Sequence, residues 1–115
     1  MFRRRNKKEY LRLREVARSF VWERLAHFNN RYGFALRKVF IKNHKSRWGS
    51  CSAKGNLNFN YKIVKLPSAV ADYIIVHELC HLGEFNHSPR FWNLVAKVVP
   101  EHRKIRRLLR GLEYT

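Results

Sequence analysis

From Ala69 to Val76 the chain is almost wholly apolar and helix-compatible, and it runs directly into His77-Glu78-Leu79-Cys80-His81. An α-helix turns ~100° per residue, so side chains four apart sit on one face, one turn along the axis. His77 and His81 can then present both imidazoles to a single ion, with Glu78 beside them. This H-E-x-x-H spacing is the one that zinc hydrolases use, with the glutamate as proton acceptor for the attacking water. A catalytic zinc site usually has three protein ligands and one open position. Gly83 suits the left-handed conformation that stops a helix, so the chain can double back and offer His87 as the third ligand. Ser88 and Pro89 then read as the N-cap and first turn of the next helix, which fixes the His87 loop at both ends.

A chain of 115 residues, 45% hydrophobic and 14% aromatic, is expected to form one ordered domain spanning 1–115. No apolar run reaches the ~20 residues that span a bilayer. The basic start Met1–Lys8 lacks the apolar segment of a signal peptide, so a cytoplasmic location is expected. Cys51 and Cys80 form no disulfide framework. Cys80 reads as a small buried apolar residue, and Cys51 ranks below His87 as a metal ligand. The net charge of +17, from 25 basic against 8 acidic residues, makes nucleic acid or an acidic substrate electrostatically accessible.

Leu13, Val16, Ala17, Phe20, Val21, Leu25 and Phe28 recur at helical spacing, which predicts a backing helix from about Lys8 to Tyr32 stopped by Gly33. Leu36–Lys42, Arg47–Ser52 and the alternating Leu57–Tyr61 predict a small antiparallel sheet of about three strands, with a turn at Ala53–Asn56. Pro67 ends the sheet and Ser68 can cap the metal-bearing helix. The strand at Leu57–Tyr61 is a candidate to hold an extended peptide through its backbone edge. Helices over residues 89–99 and 101–112 follow, the last with Ile105, Leu108, Leu109 and Leu112 as its apolar stripe. The fold class expected is α+β.

The segments Ile41–Ser52, Gly55–Asn60, His77–Leu82 and Asn86–Trp92 together resemble the YgjP-like metallopeptidases, with the WLM and SprT groups as more distant relatives. The resemblance implies a zincin-like fold, zinc on His77, His81 and His87, and Glu78 as the catalytic base. Some SprT and WLM relatives cleave proteins attached to DNA, which would suit the positive charge. The His77, His81, His87 spacing equals that of the metzincins, except that Glu84 stands where they carry glycine. A gluzincin-like alternative takes Glu101 as third ligand.

The function expected is zinc-dependent hydrolysis of peptide bonds in protein or peptide substrates. Nucleic-acid-associated proteins are among the candidate targets. The alternative is a metal-dependent phosphohydrolase of nucleotides or phosphate esters, against which stands the absence of a phosphate-cradling glycine loop. A nucleic-acid-binding protein with structural zinc fits less well, because three ligands beside a poised Glu78 leave the site open. Tyr73 and Arg90 are candidates for stabilising the oxyanion, each with an ordinary structural reading beside it. Arg47 and Trp48 are expected to hold the sheet.

Overall fold

Asn6 starts helix α1 (Lys7–Tyr32): its side chain accepts the Glu9 N–H at 3.0 Å. This computed structural model describes residues 6–113, so residues 1–5 of the basic N-terminal segment lie outside the described residues. Gly33 closes α1 in the left-handed conformation, at φ 76°, and its N–H donates to Asn29 O. The buried face is Ala17, Val21, Leu25 and Phe28. Val16, expected in that stripe, stays 56% exposed, so the buried face is narrower than the sequence pattern.

Three strands follow: β1 (Val39–Lys42), β2 (Gly49–Cys51) and β3 (Leu57–Asn60), in the order β1-β3-β2. β2 is antiparallel to β3, with Gly49 opposite Phe59. β1 is parallel to β3, with Val39 opposite Leu57, so the sheet is mixed rather than antiparallel throughout. The cause is topological. The chain reverses once between β1 and β2 and again at the Gly55 turn, so β3 recovers the direction of β1 and inserts beside it.

Asn60, which falls on the polar side of the alternation, is fully buried. Its Nδ2 donates to His44 O and Arg47 O, at 3.0 and 3.1 Å, and its Oδ1 accepts Lys62 N–H. It thereby holds the loop that leads into β2. The strand ends there: Tyr61 opens a short 3-10 turn (Tyr61–Lys65) instead of extending β3.

Helix α2 (Ser68–Cys80) is the central element, packed against α1 and β2 as well as the helices that follow. Ser68 is its first residue and not its cap. The cap position is Pro67, whose carbonyl accepts the Val70 and Ala71 N–H groups, and no side chain caps the helix. An Arg24–Asp72 fork, at 3.0 and 3.1 Å, ties α2 to α1. The chain leaves α2 through a turn in which Gly83 does not adopt positive φ. Glycine is needed there for space, since a Cβ would lie 2.7 Å from the Phe34 ring.

Helix α3 (Pro89–Ala96) is capped by Ser88, as expected, and gives way to turns before Pro100. Helix α4 (His102–Glu113) buries Ile105 and Leu109 while leaving Leu108 55% exposed. The result is the α+β architecture expected, with one core between α1, the sheet and α2. Among the described residues no helix is long and apolar enough to cross a membrane.

Candidate metal centre

The last turn of α2 and the loop after it bring three imidazoles together. The Nε2 atoms of His81 and His87 lie 3.0 Å apart, and those of His87 and His77 lie 3.2 Å apart. Ligands ~2.0–2.1 Å from one tetrahedral zinc would stand ~3.3–3.4 Å from each other, so this donor set fits such an ion closely. The other ring nitrogens of His77 and His81 are occupied. His81 Nδ1 donates to Glu84 O at 3.1 Å, and His77 Nδ1 faces the Tyr73 hydroxyl at 3.4 Å. A donating Nδ1–H leaves the Nε2 lone pair for a metal.

Aromatic rings fix the imidazole planes. His81 stacks on the buried Phe91, with centroids 4.3 Å apart, and His87 stacks on Trp92. Burial pushes the His77 ring down to about 3, assisted by the neighbouring His81 and His87 charges and by Arg106. Burial also lowers His81. Both rings are therefore neutral near pH 7, the form that ligates metal.

Glu78 lies beside this cluster and is 7% exposed. Burial raises its carboxyl to about 8, opposed by the Arg47 guanidinium. A divalent cation in the cleft acts in the opposite direction, favouring the carboxylate. Strand β2 forms the facing wall, and its Gly49 permits a close approach: a Cβ there would be 3.0 Å from Glu78 Cγ. The cleft measures about 240 Å³ and is lined by Gly49, Ser50, Cys51 and Phe85 together with Glu78 and the three histidines.

His77, His81 and His87 form the group that can hold a metal among the described residues. Glu101, the alternative third ligand, is exposed in the turn before α4 and outside that group. Cys51 lines the cleft, but burial and the nearby Glu78 push its thiol up to about 11, against the thiolate a metal needs. Cys80 is fully buried, as expected. Tyr73, 4% exposed, is placed to orient His77, and Arg90 is exposed on α3 and does not line the cleft.

β3 is the central strand with both edges paired, so it cannot take a peptide edge-on; among the described residues, the open edge at the cleft belongs to β2. Trp48, expected only to hold the sheet, lines a second cavity with His77 and Glu78. Sequence reasoning passed over Gly49, although a glycine within a strand is a recognised mark of close approach. Nothing in the sequence pattern pointed to Arg106 and Arg110 of α4, which line that second cavity.

Comparison with known proteins agrees with this geometry. No curated protein matches the chain. The metallopeptidase zymogen abylysin of Pyrococcus abyssi superimposes with a TM-score of 0.72 at 30% identity, covering 81% of this chain and 95% of that one. The metallopeptidase zymogen jannalysin of Methanocaldococcus jannaschii gives a TM-score of 0.63 at 26% identity, over 84% and 96% of the two chains. The model of the YgjP-like metallopeptidase domain matches residues 3–111, and the chain belongs to that family.

Proposed function

We propose that this protein is a zinc-dependent peptidase in which His77, His81 and His87 hold the metal and Glu78 is the general base. The observation that carries this reading is the convergence of three Nε2 atoms on a cleft that also contains a buried carboxyl. Zinc, when bound, polarises the scissile carbonyl and lowers the pKa of the attacking water to ~7.

The chain supplies the rest. A Glu78 oxygen accepts the water proton as the oxygen attacks the carbonyl carbon, and then delivers that proton to the departing amine nitrogen. Tyr73 and the Glu84 carbonyl keep the His77 and His81 rings turned towards the cleft. The free edge of β2 offers backbone N–H and C=O groups to an extended substrate strand. The family and the two neighbours support peptide over phosphoester hydrolysis. The +17 charge supports substrates that are acidic or associated with nucleic acid.

Elemental mass spectrometry and a peptide-cleavage assay test this reading on identically purified proteins. Wild type and Glu101→Ala should carry about one zinc per chain, with a clear loss in His87→Ala. Glu78→Gln should keep the zinc and lose ~10²–10⁴-fold in turnover. Zinc retained by His87→Ala and lost from Glu101→Ala would overturn the ligand set. Undiminished cleavage by Glu78→Gln would overturn the role of the base.

A further inference from the structure

We propose that the cavity between β2, α2 and α4 is a specificity pocket for acidic substrate side chains, with Arg106 and Arg110 as its carboxylate-binding residues. This rests on the peptidase reading above. The cavity measures about 300 Å³ and shares Gly49, His77 and Glu78 with the metal cleft. Following β2 from Cys51 back to Trp48 leads from one space into the other. An extended peptide advances ~3.3 Å per residue, so a strand laid along β2 enters this cavity within one or two residues of the scissile bond.

The chemistry of the walls selects what fits. Trp48, Ile74 and Leu109 are 6%, 3% and 9% exposed and form an apolar floor suited to the methylenes of a glutamate. Above it stand Arg106 and Arg110, four apart on α4 and therefore on one helix face. Both are exposed, and among the described residues neither is in an ion pair, whereas Arg24 and Lys65 have Asp72 and Glu9. The Arg106 guanidinium lies 5.5 Å from the ring centroid of Trp92, which lines a neighbouring cavity, so Arg106 stands at the border between the two spaces. Two guanidinium forks beside an apolar slot suit a planar carboxylate. The acid already present, Glu78, is engaged at the metal cleft.

Internally quenched peptides that differ only by Glu, Gln or Lys at one position near the scissile bond test the proposal. With zinc-loaded wild type, kcat/KM for Glu over Gln should be ~10–100-fold at one position within two residues of that bond. Arg106→Gln with Arg110→Gln should abolish the ratio, and Arg106→Glu with Arg110→Glu should turn it towards Lys. Cleavage with no Glu preference, or ratios unmoved in the variants, overturns the pocket and leaves the peptidase reading standing. If no peptide is cleaved, the peptidase reading fails, and the pocket is judged by fluorescence anisotropy of the same labelled peptides. Glu-selective binding that the substitutions remove supports it, and equal binding of Glu and Gln overturns it. Single-stranded oligonucleotide binding lost in the same variants, without any Glu selectivity, also overturns it, in favour of a phosphate-binding surface.

Discussion

The contact between Gly49 and Glu78 makes a sharp quantitative test, because two of the three atoms that crowd a Cβ at position 49 belong to Glu78. A Cβ added at position 49 would lie 3.0 Å from Glu78 Cγ, 3.2 Å from Glu78 Oε2 and 3.1 Å from Asn58 O. Carbon atoms rest at about 3.5–4.0 Å, so Glu78 must retreat by roughly 0.5–1 Å. The Asn58 carbonyl belongs to the β2–β3 pairing and cannot yield as easily. Overpacking of this kind costs about 1–3 kcal/mol, which for a chain of this length lowers Tm by roughly 5–15 °C.

The assay is a double-mutant cycle of thermal or urea unfolding in chelator: wild type, Gly49→Ala, Glu78→Ala and the pair. Removing the Glu78 side chain eliminates two of the three close contacts. The penalty of Gly49→Ala should then shrink, with a coupling of about 1–2 kcal/mol. In the zinc-loaded enzyme, Gly49→Ala should keep the metal and lose about 100-fold in kcat/KM through the displaced carboxylate. An equal penalty in both backgrounds, with coupling below about 0.5 kcal/mol, would refute the steric argument.

Two further outcomes follow from buried or paired polar groups. Asn60→Ala strips the His44 and Arg47 carbonyls of their donor and should cost about 2–3 kcal/mol by urea unfolding; a loss under about 1 kcal/mol would count against Asn60 as the loop anchor. Glu9 accepts from Tyr61 OH and Lys65 Nζ, which hold its carboxyl below the usual 4.5. A depressed folded-state pKa gives stability that is present above the unfolded value and lost as pH falls through the folded one. The stability advantage of wild type over Glu9→Gln should therefore shrink between about pH 5 and pH 3, and a pH-independent difference would contradict the pairing.

Local signals made much of this fold legible. Apolar recurrence and Gly33 located α1, Ser88 with Pro89 located α3, and the His77–His81 spacing located two of the three converging imidazoles. His87 was legible because only a short loop separates it from α2. Properties that depend on distant parts of the chain were not legible. Alternation in Leu57–Tyr61 says which face is apolar, but not that β1 would pair with it in parallel. Gly83 looked like a left-handed stop because its actual constraint, the Phe34 ring, lies far away in sequence. Ser68 looked like a cap because its residue type is right, although Pro67 takes that position. Trp48, Arg106 and Arg110 meet only when α4 packs against α2, and no spacing rule brings those segments together.

The open edge of β2 also bears on solubility. An unpaired strand edge can recruit a strand from another copy of the chain and so seed aggregation. This one is three residues long, too short to form an extended ladder. Exposed Lys45 and Arg47 precede it and exposed Lys54 follows, so an approaching copy meets like charge at both ends. Each chain carries +17 in total, which adds a long-range barrier between copies that salt would screen. Short length and flanking positive charge thus both act against pairing of this edge with a second copy.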